Sequence, residues 1–214
     1  MNRVTVLSDA RSWINAHVPS LVEALRGRGD EVRRVHDARE IEPCEFTFIL
    51  GYERIIPGEI LALSRHNLVV HESALPKGRG WSPLTWQILA GRQEVPIVLF
   101  EAAETVDSGP IYLRDVLRFR GDELVDELRR AQGEATVRLC LEFAQGYPGI
   151  VARGEPQQGE PTYYPRRTPQ DSRLDPDKTI AEQFDLLRVV DNERYPAFFE
   201  LRGGRYILHV YRKN

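Results

Sequence analysis

Two segments of the chain combine a titratable side chain with loop-forming residues. His71 follows an apolar run and opens the sequence His-Glu-Ser-Ala-Leu-Pro-Lys-Gly-Arg-Gly-Trp-Ser-Pro, and Asp107 lies in Val-Asp-Ser-Gly-Pro-Ile. Imidazole exchanges a proton near neutral pH, and a carboxylate can orient it. If the two segments follow neighbouring strands, these groups would converge into a reaction centre rather than a packing contact.

Alternating strand and helix patterns surround both segments. Short apolar or β-branched runs predict strands over residues 4–7, 31–35, 46–50, 67–71, 96–101 and 111–119. Helical spacing with proline or glycine boundaries predicts helices over residues 12–25, 57–63, 83–90 and 122–143. This order indicates an α/β protein with a mostly parallel sheet covered on both faces. Such sheets bind ligands beyond their carboxyl edge, where we expect the loops 51–57, 72–82 and 103–110.

The composition changes after about residue 148, which indicates a second structural unit. Residues 153–173 are polar and rich in proline, glycine and glutamine. A helix is predicted over about 179–190, and strands over 197–201 and 206–210 flank an Arg-Gly-Gly-Arg sequence typical of a β-hairpin. We therefore expect a main domain over residues 1–150. A small α+β extension over residues 151–214 would pack on it, because it is too small for an independent core.

Composition also narrows the class of protein. The 214 residues are 42 % hydrophobic, enough for a sizeable core, and the net charge is −3. A nucleic-acid or anionic-membrane partner would favour a basic excess, so we expect neither. There is no apolar run of about 18 residues and no signal-peptide pattern, which favours a cytoplasmic protein. Cys44 and Cys140 are expected to be buried free thiols, and no cluster of cysteine and histidine indicates a structural metal.

Several residues around His71 allow both a structural and a functional interpretation. An isolated histidine is most often a satisfied core residue, but the irregular loop that follows it favours a functional role. Lys77 and Arg79 place positive charge nearby, which suits a phosphate or pyrophosphate group on a substrate. Trp81 either lines a pocket or packs against the sheet. The Arg-Arg pair at residues 166–167 fits solvated surface charges.

The order of these motifs resembles a known family. The pattern His-x-Ser-x-Leu-Pro-Lys-x-Arg-Gly-x-x-Pro, the Trp-x-Ile-x-x-Gly of residues 86–91 and the Val-Asp-Ser-Gly-x-Ile around Asp107 are similar to motifs of the formyltransferases that use 10-formyltetrahydrofolate. The resemblance covers about residues 46–150. It implies a Rossmann-like formyltransferase fold and 10-formyltetrahydrofolate as co-substrate. Family members are often dimers, so a homodimer is a further expectation.

The C-terminal sequence narrows the resemblance. Tyr-Pro-Arg-Arg-x-Pro-x-Asp at residues 164–171 and the run at 188–199 look like sugar N-formyltransferases, which act on nucleotide-linked 4-amino-4,6-dideoxy sugars. The amino-acid sequence around His71 is most similar to that of enzymes of pseudaminic-acid-type pathways. Glycinamide ribonucleotide formyltransferase has a glycine-rich phosphate loop after its first strand, and methionyl-tRNA formyltransferase has a longer, basic C-terminal domain. This sequence carries neither feature, so the resemblance favours a sugar nucleotide as acceptor.

The resemblance implies roles for individual residues. His71 would hydrogen-bond the formyl oxygen as it becomes anionic, while Asp107 would orient His71 and relay the proton of the attacking amine. The residues expected to contact the pterin are Tyr52, Ile55, Ile56 and Val106. The residues expected to face the sugar nucleotide are Ser73, Lys77, Arg79, Gly80 and Trp81.

One position departs from the family pattern. The family usually has asparagine two residues before the histidine, where this chain has Val69. The nearest asparagine, Asn67, points to the same face of a strand as His71 but lies about 13 Å back, at ~3.3 Å per residue. Asn67 is retained as a candidate catalytic residue that would need a bulge to reach the site. The alternative is an oxyanion site that is built differently.

Two other classes of function stay open. A hydrolase would pass the formyl group to water and release formate without any amine acceptor. A non-catalytic sugar-nucleotide or folate-binding module would bind its ligand without turnover, and the valine at position 69 is the feature that favours it.

Overall fold

The structure, a computed structural model, describes residues 1–103 and 105–213. Within these residues the strands are β1 (Arg3–Leu7), β2 (Glu31–Val35), β3 (Cys44–Ile49), β4 (Ser64–His71), β5 (Arg79–Gly80), β6 (Glu94–Glu101), β7 (Ile111–Arg118), β8 (Tyr163–Tyr164), β9 (Ala197–Leu201) and β10 (Gly204–Leu208). The α-helices are α1 (Val18–Gly27), α2 (Gly58–Leu61), α3 (Pro83–Leu89), α4 (Val125–Gly146) and α5 (Phe184–Val189).

Six strands form the central sheet in the order β2–β1–β3–β4–β6–β7. β1 pairs in parallel with β2 and β3, and β3 pairs in parallel with β4. β6 is antiparallel to both of its neighbours, β4 and β7. The predicted α/β architecture with a mostly parallel sheet is confirmed, and β6 is its reversed strand.

The direction of β6 corrects the expected origin of the loop 103–110. β6 ends at Glu101, which lies opposite Leu68 in the middle of β4. This loop therefore does not start from the carboxyl edge of the parallel strands, as the loops 51–57 and 72–82 do. It turns back to β7, whose first residue Ile111 lies beside Phe100. Glu104, within this loop, lies outside the described residues.

The two faces of the sheet are covered by different parts of the chain. Side chains alternate along a strand, so Val6 and Phe48 point to the face that packs against α1 and α4 in the largest hydrophobic core. Leu7, Ile49 and Val69 point to the opposite face and pack against α2 and the loop before it. Because His71 is two residues beyond Val69, its side chain belongs to this second face.

In the main domain, the helices expected over 12–25 and 57–63 are clearly shorter in the structure, for identifiable reasons. The helix expected over 12–25 is a 3-10 turn at Trp13–Ala16 followed by α1, which begins at Val18 with Pro19 in its first turn. Proline has no N–H to donate, so it is tolerated in the first turn and breaks the helix ahead of it. The helix expected over 57–63 is limited to α2, because Ser64 already pairs with Cys44 in the sheet.

The extension differs from its prediction in detail. The helix expected over 179–190 is a 3-10 turn at Ala181–Gln183 followed by α5. The hairpin is formed by β9 and β10, with a two-residue turn at Arg202 and Gly203, whose φ angles are 51° and 78°. Positive φ at both turn positions matches the twist of a tight hairpin, so β10 begins two residues earlier than expected.

The extension also packs on the rest of the chain. The buried Arg188 of α5 donates from Nε to the carbonyl oxygen of Glu123 over 3.1 Å. Trp86 of α3 donates from Nε1 to the carbonyl oxygen of Pro165 over 2.9 Å. These bonds join two segments of the extension to α3 and to the residues just before α4.

Two expectations from composition concern the burial of the cysteine thiols and the absence of a membrane-spanning helix. Cys140 is buried in α4, and burial raises the pKa of its thiol. Cys44 is half-buried rather than buried: it is the first residue of β3, whose first two residues are both half-buried. In the part of the chain that the structure describes, no helix combines the length and apolarity needed to cross a membrane.

Candidate active site

His71 and Asp107 meet in the structure, as the sequence predicted. Their closest approach is 3.8 Å between Nδ1 of His71 and Oδ2 of Asp107, and both side chains are largely buried. His71 is the last residue of β4, and its ring packs edge-on against Phe100 of the neighbouring β6. The pair therefore lies on the sheet face that also carries Val69.

The hydrogen bond of His71 determines which ring nitrogen can do chemistry. Nε2 lies 2.7 Å from the carbonyl oxygen of Gly78, and a carbonyl can only accept, so Nε2 carries a hydrogen and donates it. In the neutral ring, Nδ1 then holds a lone pair and acts as a base. His71 can donate through Nδ1 only as an imidazolium, for which the carboxylate of Asp107 supplies the counter-charge.

Asp107 is held in an unusual backbone conformation. Its φ angle is +52°, in the left-handed region that few non-glycine residues adopt and in which aspartate and asparagine are the better tolerated ones. Its Oδ2 accepts a 2.8 Å hydrogen bond from the backbone N–H of Gly80. Two residues later, Gly109 packs so tightly that an added Cβ would lie 1.9 Å from the carbonyl oxygen of Glu101. The backbone of this loop is therefore tightly constrained, and its conformation directs the Asp107 carboxylate towards Gly80 and His71.

The loop 72–82 is shaped by the extension. β5 pairs in parallel with β8, so Gly80 lies beside Tyr164. An added Cβ at Gly80 would lie 2.5 Å from the carbonyl oxygen of Tyr164, and the φ angle of Gly80 is +99°. Both observations explain why glycine occupies the position whose N–H binds Asp107. No sequence pattern predicts β5 or β8, because a two-residue pairing leaves no periodicity.

A cavity of about 880 Å³ opens in front of the His71–Asp107 pair. Six of the predicted ligand-contacting residues line it: Tyr52, Ile55, Ile56, Val106, Gly80 and Trp81. Several of these apolar side chains are exposed, Ile55 to 82 % and Val106 to 41 %. Exposed apolar side chains around one cavity mark a surface that a ligand can cover.

Four predicted residues do not reach this cavity. Asn67 donates from its side-chain amide to the carbonyl oxygen of Leu61 at the end of α2, over 2.9 Å. Ser73 is buried behind Gly78, and the exposed Lys77 lies outside the cavity lining. Arg79 is 8 % exposed and turns inward, where its Nη2 donates to Oε1 of Gln157 over 2.6 Å.

The placements of Asn67 and Arg79 follow from strand geometry. Because β4 runs without a bulge between Asn67 and Val69, its register keeps Asn67 beside Thr47, four residues from His71. Arg79 belongs to β5, which is covered by β8, so its charge serves an internal contact instead of a ligand. The loop 72–82 therefore does not supply the positive charges that were expected to face a phosphate group.

A second cavity of about 180 Å³ adjoins the first and supplies those charges. The residues that line both cavities are Trp13, Glu53, Trp81, Ser82, Arg166 and Arg194. The smaller cavity is also lined by Arg129, Arg167, Glu72 and Gln132. Its walls therefore come from the first 3-10 turn, from α4 and from the extension.

The four arginines of the smaller cavity differ in their partners. Arg129 pairs with Asp191 at 2.8 Å, and Arg166 pairs with Glu53. Arg167 donates to the carbonyl oxygen of Asp171 over 3.0 Å. Arg194 is exposed and has no ion-pair partner among residues 1–103 and 105–213. A charge without a partner at a cavity junction is available for an anionic ligand.

Glu72 is the carboxyl group of the smaller cavity. It follows His71 in the chain and is 8 % exposed. Burial raises the pKa of Glu72, and the positive potential of His71 and a hydrogen bond with Gln132 only partly oppose this shift. A raised pKa favours the protonated form, which can donate a hydrogen bond to a neutral polar group.

Several residues near the two cavities were not predicted from the sequence, and they lie in the extension. Arg194 and Gln157 lie in polar or irregular segments, far along the chain from His71. The Arg-Arg pair at 166–167, which the sequence alone fits as solvated charge, lines the smaller cavity with both residues. The available signal was the position of this pair inside the motif of residues 164–171.

The chain belongs to the formyl transferase family, whose profile matches residues 10–142. A methionyl-tRNA formyltransferase from Thermus thermophilus is 32 % identical over 163 residues, which are 75 % of this chain and 52 % of that relative. The chain spans about half the length of the curated relatives it matches.

Solved structures share the fold over almost the whole chain. A sugar N-formyltransferase from a Shewanella species has a TM-score of 0.71 at 14 % identity, covering 99 % of this chain and 98 % of that chain. HypX from Aquifex aeolicus in complex with tetrahydrofolic acid has a TM-score of 0.76 at 22 % identity, covering 97 % of this chain and 37 % of that chain. The predicted formyltransferase fold is thus confirmed.

Proposed function

We propose that this protein transfers a formyl group from 10-formyltetrahydrofolate to the amine of a nucleotide-linked 4-amino-4,6-dideoxy sugar. The observation that carries the proposal is the His71–Asp107 pair in the wall of a large cavity, beside a second cavity with four arginines. Membership of the formyl transferase family supports the formyl chemistry. The fold shared with a sugar N-formyltransferase along the full length supports the sugar acceptor.

The larger cavity fits the formyl donor. Its volume of about 880 Å³ falls in the usual range for small-molecule sites, about 300–1,000 Å³. Tyr52, Ile55, Ile56 and Val106 offer apolar walls to a flat pterin ring, and the relative HypX binds tetrahydrofolic acid in its crystal structure. The bound donor would bring its formyl group to His71.

His71 and Asp107 supply the acid–base chemistry. Attack of the amine on the formyl carbon turns the carbonyl oxygen into an oxyanion, which His71 stabilises by donating from Nδ1. The amine gives up one proton and the departing folate nitrogen takes one up, so Asp107 can accept the first and return the second through His71. Since neither step needs a covalent enzyme intermediate, the lack of an activated nucleophile in the sequence is consistent with this scheme.

The smaller cavity and its rim would bind the acceptor. Arg194 and Arg166 lie at the junction of the two cavities and can contact a diphosphate. The smaller cavity, about 180 Å³, has room for a compact group such as a sugar ring rather than a whole nucleotide. The aromatic rings of Trp13 and Trp81 line the path between the cavities and can pack against the apolar face of such a ring.

A panel of acceptors tests the proposal. The protein is incubated with 10-formyltetrahydrofolate and with UDP-, dTDP-, GDP- or CMP-linked amino sugars, and mass spectrometry follows addition of a formyl group. Parallel reactions contain methionyl-tRNA or no acceptor. Formylation of an amino sugar supports the proposal. Formylation of methionyl-tRNA alone, release of formate without acceptor, or binding without turnover would each replace it with a different function.

A further inference from the structure

We infer that Gln157, in the extension, is a positioning residue that holds the Asp107 carboxylate within reach of His71. Its effect on rate rests on the proposed formyl transfer, whereas its effect on the loop can be measured without turnover. Neither its type nor its surroundings in the sequence suggested such a role.

The contacts of Gln157 engage both ends of its side-chain amide. Nε2 donates to the carbonyl oxygen of Asp107 over 2.8 Å and to that of Gly109 over 2.9 Å. Oε1 accepts from Nη2 of Arg79 over 2.6 Å. One side chain thus spans the loop of Asp107 and the loop that follows His71.

The loop of Asp107 depends on support from outside itself. It leaves the reversed strand β6, and Asp107 has a φ angle of +52°. Such a conformation persists only where the surroundings impose it. The bonds to the carbonyl groups of Asp107 and Gly109 hold the backbone that directly follows the Asp107 Cα, so they restrict the direction in which its carboxylate points.

The side-chain oxygen of Gln157 binds the loop 72–82, which follows His71. Arg79 lies between Gly78, whose carbonyl accepts from His71, and Gly80, whose N–H donates to Asp107. Arg79 is 8 % exposed, and its Nε has no hydrogen-bond partner within the described residues. Gln157 is therefore a principal polar contact of this buried guanidinium, and its loss would loosen both loops together.

Glu and Leu variants at residue 157 separate positioning from folding. In Gln157→Glu, an oxygen replaces the amide nitrogen and faces two carbonyl oxygens, while the contact with Arg79 is kept. We expect kcat to fall by about 10- to 100-fold, because a misplacement of 1 Å near the reacting groups can cost ~10² in rate. Gln157→Leu removes the donors without adding charge and should lower kcat by roughly tenfold. KM for the acceptor should stay within about threefold, because its arginines are untouched.

The pH profile distinguishes positioning from a general loss of structure. At low pH the introduced carboxyl gains a proton and can again donate one hydrogen bond. The ratio of kcat in Gln157→Glu to kcat in the wild type should therefore rise as pH falls. The matched control is Gln158→Glu, which makes the same change at the next residue. Gln158 is exposed, and its side chain makes no hydrogen bond within the described part of the chain.

A second readout is independent of activity. Hydrogen exchange of the Gly80 amide, followed by NMR, reports the bond that this N–H makes to Asp107. Exchange should become roughly tenfold faster in both Gln157 variants and stay unchanged in Gln158→Glu. Unaltered exchange together with wild-type kcat in Gln157→Glu would overturn the inference. Faster exchange in a protein that formylates no acceptor would instead support the positioning role of Gln157 and refute the proposed function.

Discussion

The two cavities of this protein are built in different ways. The larger cavity belongs to the sheet: His71 ends β4, and the loop after β3 supplies its apolar walls. The smaller cavity is a joint product of α4 and the extension, and most of its charges come from the extension. In the proposed function, donor chemistry therefore resides at the sheet, whereas recognition of the acceptor depends on α4 and the extension.

The contrast is not absolute, because the extension also reaches the His71–Asp107 pair. β8 covers β5, and Gln157 holds the loop of Asp107. We therefore expect some changes in the extension to alter kcat, and others to alter only the affinity for acceptor. The following variants separate these two contributions.

Asp107→Asn should have the largest effect on chemistry with a small effect on structure. Asparagine tolerates positive φ better than most residues, and its side-chain oxygen can still accept from the Gly80 N–H. It removes only the negative charge beside His71. We expect kcat to fall by about 10²–10³-fold, with a thermal midpoint close to that of the wild type. A loss of less than tenfold would show that the charge of Asp107 is not needed.

Gly80→Ala tests whether the extension shapes the catalytic loop. The added Cβ would meet the carbonyl oxygen of Tyr164 at 2.5 Å, and alanine is strained at a φ of +99°. We expect a destabilisation of about 1–3 kcal/mol in denaturant unfolding, accompanied by a loss of activity. Gly159→Ala is a suitable control, because that glycine also has a positive φ but has open space around it. Equal activity in the two variants would argue against coupling through β8.

Arg194→Met tests the acceptor side alone. Removing a charged hydrogen-bond donor typically costs about 1.5–3 kcal/mol of binding, so KM for the nucleotide sugar should rise roughly tenfold or more. KM for 10-formyltetrahydrofolate should change little. Arg153→Met, at an exposed arginine outside both cavities, provides the control. If kcat falls while the acceptor KM stays constant, Arg194 belongs to the catalytic region instead.

Glu72→Gln should have the smallest effect on activity and a measurable effect on stability. Because burial raises the pKa of Glu72, its ionisation favours the unfolded chain, and its stabilising contribution is lost as pH rises above its ordinary value of 4.5 towards the raised one. The variant should melt higher than the wild type at neutral pH, and this gain should vanish below about pH 4.5. Each kcal/mol corresponds to about 2–4 °C in a chain of this size.

The control for this experiment is Glu134→Gln, at an exposed glutamate of α4. It should leave the dependence of the melting temperature on pH unchanged. A stabilisation by Glu72→Gln that persists at low pH would show that packing, not ionisation, is responsible.

The sequence predicts those parts of the site whose residues lie close together in the chain. His71, Asp107 and the apolar residues near Tyr52 lie in contiguous motifs, and the strand and helix order predicted the sheet that holds them. Pro19 was also a visible signal, and it explains the break that the helical pattern over 12–25 concealed.

The remaining features depend on contacts between distant segments. The reversed direction of β6 could not be predicted, because β6 is buried on both faces and its apolar run therefore looks like that of a parallel strand. Gln157 acquires its contacts from partners far along the chain, so no local pattern marks it. Arg194 lies inside the run at 188–199, but only the fold brings it to the junction of the two cavities. Charge alone predicts that Lys77 and Arg79 face the substrate. The pairing of β5 with β8 instead turns the guanidinium of Arg79 inward, where it binds Gln157.

The central claim is that His71 donates to the formyl oxygen through Nδ1, and His71→Ala tests it most directly. Formylation is measured with saturating 10-formyltetrahydrofolate and the best acceptor, after folding and folate binding have been verified. Loss of one such donor typically lowers the rate by ~10²–10³, and this is the predicted result. A variant that folds, binds folate and retains more than about a tenth of wild-type formylation would contradict the role assigned to His71.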